Sequence, residues 1–191
     1  MAQQVIGIGV TPNDGTGDSL RDAFVKVNAN FSEVYQTAGG WAIYNDSQYT
    51  LSNPLVISQG VTSIMTNNAN TVINTYLPVG VVNLWDVSTS KITPQNIGDY
   101  YITTFRFKAK NSAAFGLFET AIDLGGSTGI LFKESQNMSN TALVEQTYAI
   151  VIPMYIGADF KLNGGIPKVK SISGTTSIYD IEFQFARIHK G

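Results

Sequence analysis

The chain has 191 residues, no cysteine, a single histidine, His189, and 12 basic against 14 acidic residues, for a net charge of -2. Those counts exclude a disulfide framework, a cysteine nucleophile and a thiolate zinc site, and a Ser-His-Asp triad or histidine metal cluster would have to borrow residues from another chain. The charge balance lacks the basic face that nucleic acid requires, and no apolar run approaches the roughly 20 residues of a membrane-spanning helix.

Residues 1–9 also lack the charged start and long apolar stretch of a secretion signal, so a soluble protein without one is expected. Charged residues make up only 14%, and the surface must be built from the 18 Thr, 15 Ser and 15 Asn, a composition suited to β structure with hydrogen-bonding exposed faces.

In chain order, residues 5–10 form an extended, glycine-spaced stretch, and residues 11–18 a turn rich in Asp14, Gly15, Gly17 and Asp18. Oxygen-bearing side chains around two glycines raise the question of calcium. The twelfth position counted from Asn13 is Phe24, where a calcium loop needs a bidentate glutamate, so a tight turn is the reading and no metal is expected. The Gly7-Ile8-Gly9 spacing lacks the third glycine and following helix of a dinucleotide site.

A helix should follow, capped by Ser19 or Asp18, with Asp22 completing the reciprocal serine–acid spacing. It is expected to run to about Tyr35. Its apolar positions Leu20, Phe24, Val27, Phe31 and Val34 step by 4, 3, 4 and 3, a heptad seam narrower than an ordinary globular stripe. Ala38-Gly39-Gly40 should stop the helix and act as a hinge. The net charge of -2 belongs to residues 1–40, because the remaining 151 balance 10 acidic with 10 basic residues. We therefore divide the chain into an arm and helix, 1–40, and a second domain, 41–191.

From Trp41 onward the period is two. Tyr101, Thr103, Phe105 and Phe107 share one face of a strand, and Tyr179, Ile181, Phe183, Phe185 and Arg187 one face of another. Further strands are expected at 41–44, 55–57, 61–65, 71–77, 115–123, 129–132, 147–156 and 167–172, with no helix among them. Pro153 should mark an edge or bulge. The expectation is an antiparallel β-sandwich or jelly roll.

Candidate chemistry is sparse. Glu119 and Asp123 lie four apart on a strand and face one side, the minimum for glycoside hydrolysis, but a solvated acidic face accounts for them as well. Trp85, Tyr100 and Tyr101 are candidate glycan contacts, since aromatic faces stack on pyranose rings; core or interface packing is the commoner role. No cofactor and no catalytic residue are expected. The C-terminal strand, apolar on one face, points to a flank buried against copies of the chain.

The block Pro12-Asn13-Asp14-Gly15-Thr16-Gly17-Asp18-Ser19-Leu20-Arg21-Asp22, continued by Asn28-Ala29-Asn30-Phe31-Ser32-Glu33-Val34-Tyr35, resembles the N-terminal segment of many tailed-bacteriophage virion proteins. The resemblance implies a virion-attachment or trimerisation element ahead of an unrelated distal domain, and in strand pattern the rest is similar to trimeric jelly-roll heads of tumour-necrosis-factor-like shape. It implies a non-enzymatic virion protein made in the host cytoplasm: a homotrimeric fibre head or capsid or tail decoration, contacting other virion proteins through residues 1–40 and able to meet a host surface glycan. The alternatives are a capsid cement protein or a glycan-degrading enzyme using Glu119 and Asp123.

Overall fold

Two long strands with in–out alternation organise the molecule. The computed structural model describes residues 4–11, 14–36, 39–126 and 128–191, with backbone alone for Glu33, Tyr35 and Gln36. Pro12 and Asn13 of the predicted turn, Ala38 of the predicted hinge, Ser127, and the Glu33 and Tyr35 side chains lie outside what is described. The chain divides into two compact units, residues 1–38 and 39–191.

The first unit is an extended arm, a turn and helix α1 (Leu20–Gln36). Ser19 caps the helix, its Oγ accepting from the Asp22 backbone N–H at 3.1 Å. The Ser19 hydroxyl donates in turn to the Asp22 carboxylate at 2.6 Å, so the acid holds the capping side chain itself.

The second unit begins with β1 (Gly40–Asn45), followed by β2 (Leu55–Ile57), β3 (Thr62–Ile64), β4 (Thr71–Ile73), β5 (Trp85–Asp86), β6 (Lys91–Ile92), β7 (Tyr100–Asn111), β8 (Leu117–Asp123), β9 (Ile130–Asn137), β10 (Gln146–Tyr155), α2 (Ala158–Asn163), β11 (Ile166–Ser173) and β12 (Thr176–His189). One sheet runs β10-β7-β12-β1-β4, with β2 also on β12, a second runs β3-β11-β8-β9, and β5 and β6 form a separate two-stranded pair. All pairings among these strands are antiparallel.

The predicted inward face of β7 and, from Ile181 onward, that of β12 are buried, and they meet the second sheet through Phe107 against Phe118, ring centroids 5.7 Å apart. Tyr179, expected on the same face, instead lies opposite the outward Lys108 and donates to Glu145 at 2.6 Å. Phe183 packs against Phe105 and Trp85 at 4.7 and 4.8 Å. Such aromatic contacts carry a large share of a sandwich core. Between Tyr179 and Glu182 the register slips by one residue, with Asp180 at φ 53°. This bulge anchors a neighbouring loop: the Asp180 N–H donates to the Tyr49 carbonyl at 3.0 Å and the Asp46 N–H to the Ile181 carbonyl at 2.9 Å. Pro153 sits in the edge strand β10, where a missing N–H costs no interior ladder bond.

Three expectations need correction. Gly40 is not a free hinge: it pairs with Arg187 in β1, and a Cβ there would come within 2.6 Å of the Tyr76 carbonyl oxygen and Pro78 nitrogen. Glycine at this position allows close backbone approach. Residues 71–77 form only a three-residue strand before the chain turns, the Leu77 N–H reaching back to the Asn74 carbonyl at 3.1 Å. A second helix, α2, does exist, anchored by the buried Phe160.

Candidate functional site

In the N-terminal unit the arm folds along one side of α1 through polar groups. Asp14 accepts hydrogen bonds from the backbone N–H of Val10, Thr11 and Thr16 at 2.6, 2.7 and 2.9 Å, and from the Thr16 hydroxyl at 2.8 Å. These bonds, Thr11's foremost, hold its carboxyl far below the ordinary range. The Asp14 carboxylate is thus the anchor of a turn, and Gly15 supplies the positive φ of 71° that the turn requires. At Gly17 a Cβ would meet the backbone of Gly7 and Gly9 at 3.0 Å, so the two chain segments can approach only over glycine.

Asp18 accepts from the Gly7 N–H and from Lys26 Nζ, each at 2.7 Å, and the Lys26 contact is the main reason its carboxyl lies below the usual value. Lys26 also donates to the Val5 carbonyl at 3.0 Å. Asn30 brackets Gln4, accepting from its N–H and donating to its carbonyl, both at 2.9 Å. These long-range contacts, 8 to 26 residues apart, could not be read from local spacing.

The clamp runs along one flank of the helix, through Lys26 and Asn30, and leaves most of the heptad seam exposed. Leu20, Phe24, Phe31 and Val34 are 76, 58, 60 and 66% exposed, and Val27 is partly covered. Val27, Asn30, Phe31 and Val34 line a concavity of about 260 Å³. Val5, Ile8 and Val10 of the arm are exposed as well.

In the β domain the outer face of the larger sheet has an apolar end. Register places Pro153, Ile102, Ala186 and Trp41 side by side across four strands, with Val151, Thr104, Gln184 and Ile43 in the next row. Arg106, Glu182 and Asn45 continue the face, so it grades from apolar to charged along the strands.

The predicted glycan contacts are not together on a surface. Trp85 and Tyr101 are each 1% exposed, and only Tyr100 is partly accessible. Trp85 is a core residue whose Nε1 donates to the Asn67 carbonyl at 2.8 Å. Tyr101 donates its hydroxyl to Asp99 at 3.1 Å, and burial pushes its own pKa up. Asp99 also pairs with Arg187 Nη1 at 3.3 Å, both side chains fully buried, and accepts from the Gly191 N–H at 3.2 Å. Arg187 therefore lies on the inward face because a buried carboxylate awaits it there.

Glu119 and Asp123 do share the outer face of β8, and each is held by a lysine. Glu119 pairs with Lys133 at 2.9 Å and Asp123 with Lys168. The Lys168 hydrogen bond lowers the Asp123 pKa, opposite to the direction a general acid needs. Among the described residues no cluster of three or more His, Asp or Glu could hold a metal ion, and no described helix is long and apolar enough to cross a membrane.

The β domain is an antiparallel jelly roll of tumour-necrosis-factor-like type. It is similar to Eiger, a tumour necrosis factor from S. frugiperda, with a TM-score of 0.50 and 9% identity over 80% of this chain and 94% of that one. The PRD1 vertex protein P5 aligns over 80% of this chain and 73% of its own at a TM-score of 0.46 and 13% identity. In sequence the chain is 34% identical over 90 residues, 42% of its length, to the baseplate wedge protein gp10 of Enterobacteria phage T4. It spans 14% of that phage structural protein's length. No protein-family pattern matches the chain.

Proposed function

We propose that the protein is a homotrimeric structural component of a tailed-phage virion, docked through residues 1–40 and projecting its β domain as a fibre head or decoration that meets the host surface. The observation that carries this reading is the bare seam of α1. Leu20, Phe24, Phe31 and Val34 repeat at heptad spacing yet stay exposed, while the arm is tied along the flank of the seam by Asp18, Lys26 and Asn30. A strict heptad period suits a partner helix of the same period, which identical copies supply. Two heptads associate weakly alone. The apolar end of the larger sheet's outer face gives the copies a second contact within each head.

The likeness to a baseplate protein supports a place on the particle, and the lysine-held Glu119 and Asp123 favour a building part over a hydrolase. Light scattering on the intact chain tests the assembly. The expected mass is three times that of the 20.7 kDa chain, and a monomer at micromolar concentration would overturn the reading.

A further inference from the structure

At one end of the β domain, the hairpin after β8, the end of β10 and helix α2 enclose a cavity of about 310 Å³. Its floor is Leu124 and Phe160, both buried, and its walls include Leu131 and Ala158. On its rim Tyr155 is 59% exposed and presents an aromatic ring. The polar groups are few and paired: the Thr128 hydroxyl donates to Oδ2 of Asp159, and among the described residues none donates to Oδ1.

These groups are held on stiff supports. The Leu124 N–H donates to the Gly129 carbonyl at 2.8 Å and the Gly125 N–H to Asp123 Oδ1 at 2.8 Å, fixing the hairpin that carries Thr128. Phe160 pins α2, its ring packing so closely over Gly165 that a Cβ there would lie 2.8 Å away. The Gly164 N–H closes the helix onto the Phe160 carbonyl at 2.9 Å. A small apolar cavity with one aromatic rim and one half-committed carboxylate on rigid elements has the composition of a preformed ligand site.

We propose that this cavity binds one uncharged pyranose unit of a surface polysaccharide. The apolar C–H face of the ring stacks on Tyr155, and two hydroxyl groups on its polar edge donate to Asp159 Oδ1 and to the Thr128 oxygen. Charge-assisted bonds of this kind are stronger than neutral ones. No lysine or arginine lines the cavity, so the Asp159 carboxylate disfavours acidic sugars. An acyl chain would have to bury the carboxylate's charge with the Thr128 hydroxyl as its one described donor. The inference deepens the reading of the head as a host-contacting domain and moves the glycan contact from the buried Trp85 and Tyr101 to Tyr155, the cross-strand neighbour of Tyr100. One shallow site gives weak binding, and repetition of the head in a trimer multiplies it.

Saturation-transfer NMR on the full chain tests this with the methyl glycosides of glucose, galactose, mannose and N-acetylglucosamine. At least one should bind with a Kd of about 1 to 10 mM, with transfer strongest to ring C–H protons. Tyr155→Ala should weaken binding roughly tenfold. Gly157→Leu should abolish it by filling the cavity; Gly157 has φ -86° and a Cβ there meets nothing within 4 Å, so the backbone accepts a side chain, and an unchanged circular dichroism spectrum checks that the variant is folded. Phe115→Ala, an exposed aromatic that does not line the cavity, should bind as the parent does. The proposal is overturned if none of the four sugars binds, if Tyr155→Ala and Gly157→Leu bind unchanged, or if methyl glucuronide binds more tightly than its neutral counterpart. The mass of the same sample separates the two readings: a trimer that binds no sugar sinks only the site, and a monomer that binds sugar sinks only the assembly.

Discussion

Replacing both seam phenylalanines, Phe24→Ala with Phe31→Ala, should separate assembly from folding. The two rings are 58 and 60% exposed within the chain, so their truncation removes little intramolecular packing. A phenylalanine presents roughly 200 Å², which leaves roughly 230 Å² of apolar surface on the pair for a partner to cover. At about 25 cal/mol per Å², complete coverage is worth about 6 kcal/mol per chain, and half coverage about 3 kcal/mol. The lower figure weakens association by about two orders of magnitude per chain. Sedimentation equilibrium across a concentration series would show the oligomer shifted to monomer, while circular dichroism and the thermal transition of the β domain stay unchanged. An unaltered mass distribution would refute the seam. So would a collapse of the thermal transition with the mass, because the rings would then be folding determinants.

Three further outcomes follow from contacts described above. Asp99→Asn removes the buried carboxylate that Arg187 pairs with and Tyr101 donates to, and should cost about 3 to 5 kcal/mol, lowering Tm by about 10 °C in a calorimetric scan; a Tm within about 2 °C of the parent would show that the pair is dispensable. Asp14 and Asp18 have folded pKa values below their ordinary value of 3.8, so the folded unit binds fewer protons than the unfolded one in acid. Protection of the Gly7 and Thr16 amides from hydrogen exchange, corrected for intrinsic rates, should hold from about pH 7 to about pH 5 and fall below about pH 4; a loss on raising the pH instead would reverse the assigned sign. Gly40→Ala should drive the Tyr76–Pro78 backbone away, costing about 1 to 3 kcal/mol and disturbing the Trp41–Tyr76 stack, whose centroids are 4.9 Å apart; unchanged tryptophan fluorescence and stability would contradict the close approach.

Strands were legible where one face is buried and the other wet. β7 and β12 alternate because inward phenylalanines and tyrosines face outward threonine, glutamine, lysine and arginine. The second half of β9, Lys133-Glu134-Ser135-Gln136-Asn137, carries no hydrophobic signal, because an edge strand exposed to this degree has nothing to bury. α2 has six residues and one buried anchor, too few for a helical period to register. At Asp180 the alternation slips, so Ile178 and Tyr179 are both buried, which a strict period of two forbids. The heptad seam and the Ser19–Asp22 cap were local patterns and could be read. The arm clamp depends on Asn30 meeting Gln4 and Lys26 meeting Val5, and no local spacing announces it. Trp85 and Tyr101 were misplaced for a related reason: composition identifies an aromatic residue, but only packing shows that these two lie in the core.

Electron microscopy of purified particles, with gold-labelled antibody against residues 39–191, tests the central claim most directly. The account predicts label at regular positions on the virion exterior, in copy numbers divisible by three, and its loss when residues 1–38 are removed. Label absent from particles, with the chain recovered only in the host cell fraction, would contradict it.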